Sequence, residues 1–127
     1  MEKIFNGNTC KAEYDKENRT VLFTFVGYAE IDEHKNMYGH VAKFMEKNAV
    51  TCFLMDFRSM KGTFTMLNDW VIETFRPAVE LGLKKTAMVL NSDVFTAFAA
   101  NDAIKKVKLI QINVFKKLEE AQEWLNK

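Results

Sequence analysis

Five short segments of the chain either alternate apolar and polar residues or are apolar almost throughout, which predicts β-strands. They are residues 9–14, 20–26, 50–57, 86–90 and 110–115. A short polar turn joins the first two segments, so we expect them to form an antiparallel hairpin. The third segment is apolar as far as Asp56, which is typical of a central strand buried on both faces. We expect the second strand to end at Gly27.

Four other segments repeat apolar residues at spacings of three and four, which predicts amphipathic helices. They are residues 32–47, 65–81, 93–104 and about 118–125. Residues 58–64 fit neither pattern, and we expect them to be irregular. The predicted element order is ββαβαβαβα. The sequence therefore predicts an α/β fold in a single domain over residues 1–127, with a five-stranded mixed sheet flanked by helices.

Composition and charge exclude some classes of partner and indicate the cellular compartment. The 127 residues carry 18 Lys and Arg against 17 Asp and Glu, and this balance lacks the basic excess of a nucleic-acid-binding domain. No apolar run approaches the roughly 20 residues of a membrane helix, and the first residues lack a signal-peptide pattern. We expect Cys10 and Cys52 to be free, buried thiols, as in a reducing compartment. These features predict a cytoplasmic protein with no nucleic-acid partner and no membrane span.

Residues with catalytic chemistry are few. His34 and His40 are the only histidines; they lie on different faces of one predicted helix, and we expect both to be solvated. No cluster of Cys and His has the spacing of a zinc site, and no glycine-rich phosphate loop is present. We therefore expect a non-enzymatic protein with no catalytic residue, no bound metal and no cofactor.

One group of polar residues follows the central strand and leads into the next predicted helix. Its members are Asp56, Arg58, Ser59, Lys61, Thr63 and Thr65. Ligands of open α/β sheets collect at the carboxyl ends of strands, and cations beside a helix N-terminus suit a phosphate or carboxylate. The alternative is structural: Asp56 and Arg58 form a local ion pair, and one of the threonines caps the helix.

A second candidate surface is apolar. Most of the 11 phenylalanines fall on the inward sides of predicted elements, where we expect them in the core. Phe64 instead follows a glycine in the irregular segment, and Phe95 and Phe98 share a face of a short predicted helix. An exposed cluster of these three side chains would mark a partner surface or a pocket for a lipid.

Several scattered motifs together resemble the SpoIIAA-like family of STAS-type domains. They are Phe25-Val26-Gly27, Phe53-Leu54-Met55-Asp56-Phe57-Arg58, Lys61-Gly62, Trp70 with Pro77, the segment from Gly82 to Val89, and Glu120-Ala121-Gln122-Glu123-Trp124-Leu125. The resemblance covers about residues 8–126. It implies a binding or regulatory module that acts through protein contacts in bacterial signalling, with a protein partner or a second copy of the chain. The alternative that it implies is a carrier of an apolar small molecule or lipid, as in SEC14-like domains.

The better-studied anti-sigma-factor antagonists of this fold carry a phosphorylatable serine, usually as Asp-Ser, just after the strand that matches residues 51–57. The present chain has no Asp-Ser pair. Ser59 is the nearest match by position, and Thr63 and Thr65 are the alternatives. The resemblance therefore implies the fold more firmly than it implies a phosphorylation switch.

Overall fold

A computed structural model describes residues 1–28, 30–61, 76–91 and 111–127 of the chain. Its elements in chain order are β1 (Glu2–Asn6), β2 (Cys10–Asp15), β3 (Thr20–Tyr28), α1 (Ile31–Lys47), β4 (Cys52–Lys61), α2 (helical residues 76–80), β5 (Lys85–Val89), β6 (Gln111–Phe115) and α3 (Leu118–Leu125). The predicted helix over residues 93–104 lies outside the described residues, as does the predicted helix over 65–81 up to residue 75.

The strands form one mixed sheet whose spatial order, β1 to β6, is the same as their order in the chain. β2 is antiparallel to both of its neighbours, β1 and β3, whereas β3, β4, β5 and β6 are mutually parallel. The predicted α/β class and the mixed sheet are confirmed. The predicted number of strands is wrong, because the described residues alone form a sheet of six strands and not five.

The missed strand is β1, and a bulge explains why its pattern is hidden. Lys3 pairs with Glu13 and Phe5 pairs with Ala12, so Ile4 is an extra residue in the ladder. A bulge interrupts the alternation of side chains between the two faces. Ile4 and Phe5 consequently both pack against the core although they are adjacent in sequence. A search for strict alternation cannot detect such a strand.

The larger core lies between α1 and one face of the sheet. β3 contributes Val21, Phe23 and Phe25, each at most 1% exposed. The rings of Phe25 and Phe57 are stacked with their centroids 4.3 Å apart, which joins β3 to β4 on this face. The inward stripe of α1 consists of His34, Met37, Tyr38, Val41 and Met45. The spacing of this stripe is the helical period, and it explains why these residues form one buried helix face.

His34 contradicts the expectation that both histidines are solvated. It is 3% exposed, its ring lies 5.2 Å from the ring of Phe25, and its Nε2 atom has no hydrogen-bond partner among the described residues. Burial lowers the pKa of His34, although the charges of Glu33 and Glu30 act in the opposite direction. His40 is exposed, as expected, and its Nδ1 atom lies 2.8 Å from the carbonyl oxygen of Asn36.

Glu33 fixes the β1–β2 turn to the first turn of α1. Its Oε1 atom accepts hydrogen bonds from the Thr9 backbone N–H at 2.6 Å and from the Thr9 hydroxyl at 2.8 Å. The Thr9 backbone bond is the main reason that the pKa of Glu33 is lowered. Gly7 leaves room for this carboxylate, since a Cβ atom there would lie 2.6 Å from Oε1. A larger residue at position 7 would push the turn away from α1.

Both cysteines are free and buried, as predicted. Burial, together with the neighbouring charge of Glu33, raises the pKa of the Cys10 thiol to about 12. A thiol with such a pKa is neutral near pH 7 and is a poor nucleophile. Cys10 is therefore a core residue rather than a reactive group.

The smaller core lies on the opposite face of the sheet, beneath α3. Leu54, Ala87 and Val89 of the central strands pack there with Ala121 and Leu125 of the helix. The end of α3 is held by Lys85, whose Nζ atom lies 3.4 Å from the Trp124 carbonyl oxygen and 5.2 Å from the centre of the Trp124 ring. A cation is favourable at this position because the carbonyl end of a helix is partially negative.

β3 runs beyond this helical cover. Along its second face the side chains change from half-buried at Leu22 and Thr24 to 42% exposed at Val26 and 71% exposed at Tyr28. The prediction that Gly27 ends the strand is wrong. Gly27 has a φ of +68°, a backbone conformation that glycine adopts without strain, and the strand continues to Tyr28.

Candidate functional site at the carboxyl ends of β3 and β4

Four of the predicted site residues belong to the last part of β4. Asp56, Arg58, Ser59 and Lys61 lie in the strand, which continues to Lys61. The expectation that residues 58–64 are irregular is therefore wrong for residues 58–61. The cause is pairing with β3, since Val26, Gly27 and Tyr28 oppose Ser59, Met60 and Lys61. The remaining predicted site residues lie outside the described residues: Thr63, Phe64, Thr65, Phe95 and Phe98.

A bulge in β4 places Asp56 and Arg58 close together. Thr24 opposes Asp56 and Val26 opposes Ser59, so β4 uses one more residue than β3 over this interval. The Arg58 backbone N–H donates to Oδ1 of Asp56 at 3.1 Å. The Arg58 guanidinium donates from Nε to Oδ1 at 2.9 Å and from a terminal nitrogen to Oδ2 at 2.8 Å. Asp56 thus supports both the bulged backbone and the neighbouring cation.

The electrostatics of this pair follow from its geometry. Partial burial acts to raise the pKa of Asp56, but the hydrogen bonds and the charge of Arg58 outweigh it and hold that pKa below its ordinary value. The Arg58 side chain is 44% exposed, whereas that of Asp56 is 20% exposed. The local ion pair that the sequence left as an alternative is present. A role for these residues in binding stays a prediction.

Exposed apolar residues lie directly beside these polar groups. Val26 and Tyr28 are opposite Ser59 and Lys61 in the ladder, and both of these apolar side chains are exposed. We call this surface the β3–β4 patch; it consists of Val26, Tyr28, Arg58, Ser59 and Lys61. Within the described ranges of the chain, Lys61 forms no ion pair with a carboxylate. The patch therefore combines an aromatic side chain, an aliphatic side chain and cations on adjoining strands.

The apolar half of this patch does not follow from the sequence prediction. That prediction ends β3 at Gly27 and leaves the exposed Tyr28 outside the strand. A usable signal is present in the alternation of Leu22, Thr24, Val26 and Tyr28, which continues through Gly27 without a change of period. The exposure of these positions is not contained in the pattern, because it depends on tertiary packing over this face of the sheet.

The patch is suited to non-covalent binding. Hydroxyl, guanidinium and ammonium groups can donate hydrogen bonds to carboxylate or phosphate oxygens, and the Tyr28 ring offers a large contact area. Among the residues that the structure describes, no three His, Cys, Asp or Glu side chains are grouped so that they could hold a metal ion. The same part of the chain contains no helix with the length and hydropathy needed to cross a membrane.

Comparison with known proteins identifies the family. A family model described as SpoIIAA-like matches residues 20–126. The chain belongs to the SpoIIAA-like family. The matched region begins at the first residue of β3, so β1 and β2 precede it. No curated protein matches the sequence.

A solved structure supports the same fold. It is the crystal structure of an uncharacterized protein from the DUF3478 family, with a SpoIIAA-like fold, from Shewanella loihica PV-4. The two chains superimpose with a TM-score of 0.67 and share 13% identity, and the match covers 95% of this chain and 98% of the other. At this identity the likeness concerns the fold alone. The present chain therefore has the SpoIIAA-like fold that the resemblance implied.

Proposed function

We propose that this SpoIIAA-like protein is a non-enzymatic, cytoplasmic binding module that contacts a protein partner in signalling through the β3–β4 patch. The observation that carries the proposal is the 71% exposure of Tyr28 on a hydrogen-bonded strand. Tyrosine is enriched at the centres of protein interfaces, where its ring is buried at little conformational cost. Val26, two residues earlier on the same strand, is 42% exposed and extends this apolar surface.

The charges beside Tyr28 indicate which partner surface would fit. Arg58 is joined to Asp56 by two side-chain hydrogen bonds, whereas Lys61 is exposed opposite Tyr28. An apolar partner side chain beside a carboxylate would contact the Tyr28 ring and the Lys61 ammonium together. Exposed charges of this kind mainly steer association, and the apolar contact supplies most of the affinity.

The alternative of an apolar small-molecule carrier is supported less well. It depends on Phe64, Phe95 and Phe98, which lie outside the described residues. The described apolar side chains of the patch lie on the surface of a twisted strand pair, a shape suited to a protein rather than to an enclosed lipid. The contacts of the patch therefore favour the protein-binding function.

Site-specific photo-crosslinking in the native host tests the proposal. Benzoylphenylalanine replaces Tyr28 in one variant and Lys16 in a matched control. Both positions are exposed, but Lys16 lies in the turn between β2 and β3, at the other end of β3. We expect a discrete crosslinked band at position 28 that is absent at position 16, and that weakens when Lys61→Glu is added.

Two results would contradict the proposal. Equal crosslinking at the two positions, or none at either, would remove the β3–β4 patch as the contact surface. Turnover of a substrate by the purified protein would contradict the non-enzymatic function. Thermal melting of each variant is the control for folding, and we expect no change at Tyr28, since its side chain makes little contact with the rest of the protein.

A further inference from the structure

A cleft opens at the end of the sheet opposite the β3–β4 patch. Its volume is about 240 Å³, and it lies between the β2–β3 turn, the sheet and the last turn of α3. The side chains that line it are Asp15, Asn18, Thr20, Leu22, Leu54, Gln122, Leu125 and Asn126. The cleft is separate from the patch, and nothing proposed for the patch depends on it.

The floor of the cleft is apolar. Leu22 of β3 is half-buried because it lies at the margin of the smaller core, whereas Leu54 of β4 and Leu125 of α3 are 1% and 8% exposed. A ligand that covers Leu22 would remove apolar surface from water, which favours binding. A cavity of about 150 Å³ accommodates benzene, so this cleft has room for a body of about eight to ten heavy atoms.

The rim of the cleft is polar and carries one charge. Asp15 is held in place by Asn18, whose side-chain amide donates to Oδ2 at 2.8 Å and whose backbone N–H lies 3.4 Å from Oδ1. The Thr20 hydroxyl donates to the Asn18 carbonyl at 3.0 Å, so its oxygen faces its surroundings as an acceptor. Asp15 is therefore a fixed carboxylate with unused acceptor capacity.

The negative charge of the rim comes from Asp15. Among the described residues that line the cleft, Asp15 is the only charged one. Lys16 and Arg19 belong to the same turn, but they are exposed and do not line the cleft. The carbonyl end of α3 also borders the cleft, but the Lys85 ammonium already lies 3.4 Å from the Trp124 carbonyl oxygen there. A fixed carboxylate above an apolar floor complements a cation that carries an apolar group.

We propose that this cleft binds a small organic monocation, with its ammonium group at Asp15 and a compact apolar body over Leu22 and Leu125. The ammonium would donate hydrogen bonds to the Asp15 carboxylate, and the amide oxygens of Gln122 and Asn126 are further acceptors on the rim. The body is limited by the floor to about the size of one aromatic ring with a short chain. This binding site is a property of the cleft and goes beyond the proposed protein contact.

The test compares two probes of the same shape and different charge. Phenethylamine and 2-phenylethanol are titrated into the ¹⁵N-labelled protein, and amide chemical shifts are followed. We expect the amine to bind at least tenfold more tightly than the alcohol and to shift the signals of Leu22 and Leu125. Asp15→Asn, which retains an oxygen for Asn18, should weaken amine binding at least tenfold, whereas Glu17→Gln, in the same turn but outside the cleft, should not.

A second variant keeps the test informative if Asp15→Asn unfolds the turn. Leu22→Lys places a tethered ammonium in the cleft at a half-buried position, and it should abolish amine binding while the protein still melts cooperatively. The proposal is overturned if the amine and the alcohol bind equally, if neither shifts a cleft signal at millimolar concentration, or if Glu17→Gln weakens binding as much as Asp15→Asn does.

Discussion

On one face of the sheet, α1 packs on strands whose inward side chains are buried from one end to the other, as Val21, Phe23 and Phe25 show. On the opposite face, α3 covers Leu54 and its neighbours but leaves Val26 and Tyr28 exposed. Successive side chains of β3 point alternately to the two faces of the sheet, and this holds for both sets of residues. The difference shows that alternation determines the side on which a residue lies, whereas the extent of the covering helix determines its burial.

The largest test of this difference places a carboxylate at two apolar positions on the same face. Leu54→Asp should unfold the protein, because an unpaired buried carboxylate costs several kcal/mol against a total stability of about 5–15 kcal/mol. Val26→Asp should lower the free energy of unfolding by less than about 1 kcal/mol, since Val26 is 42% exposed. Urea unfolding measured by circular dichroism distinguishes the two. Similar losses in both variants would mean that the two positions are covered alike.

A second test concerns the buried polar group on the α1 face. His34→Phe should raise the free energy of unfolding by about 1 kcal/mol at pH 7, because it removes the unpartnered Nε2 atom and keeps a ring against Phe25. The matched control is His40→Gln on the exposed side of α1, and it should leave the stability near that of the wild type.

The dependence of the stability on pH provides a second measurement of the effect of His34. Its pKa is lowered in the folded state, so the unfolded chain binds a proton first as the pH falls below about 6.5. The wild type should therefore lose stability as the pH falls from 6.5 towards 5, and His34→Phe should flatten this part of the profile. A profile that is unchanged in His34→Phe would show that another group causes the loss.

The smallest expected effect belongs to the ion pair at the border between the covered and exposed parts of the second face. Asp56→Asn should lower the free energy of unfolding at pH 7 by about 0.5 kcal/mol, because the Arg58 side chain is 44% exposed and solvent weakens the pair. The folded pKa of Asp56 is lowered, so its contribution is present above about pH 4 and is lost at lower pH.

Acid titration tests whether the contribution of Asp56 to stability decreases at low pH. The difference between wild type and Asp56→Asn should shrink as the pH falls below 4. Glu33, whose pKa is also lowered, contributes in the same range, so a residual acid sensitivity should remain in the variant. A difference that grows with acidification would show that the Asp56 carboxylate destabilises the native state.

Particular residues show how much of the fold follows from sequence. The nearly continuous apolar run from Val50 correctly predicted a central strand, and the hairpin of β2 and β3 followed from alternation on either side of a polar turn. The burial of His34 was also predictable, because it lies three and four residues before Met37 and Tyr38 on the inward stripe of α1. The prediction of a solvated side chain followed from the residue type and did not take the position in the stripe into account.

Other features depend on contacts that no local pattern contains. β1 is hidden by the extra residue Ile4, and the reach of β4 to Lys61 depends on its pairing with β3. At the site, the pairing of Asp56 with Arg58 was foreseen as an alternative, because opposite charges lie two residues apart in the sequence. The exposure of Tyr28 was not foreseen, because it is set by tertiary packing.

The strands have the same order in the sheet as in the chain. This order has a consequence for biosynthesis. Each strand that leaves the ribosome pairs with the one made immediately before it, so the sheet can grow from β1 to β6 in the direction of translation. No later strand has to be inserted between two earlier ones, and the two antiparallel hairpins supply local contacts at the start. The nascent chain then presents a single growing edge until β6 is added. There the Val114 backbone N–H donates to the Asn113 side chain at 3.0 Å, which lessens the capacity of the finished edge to recruit another strand.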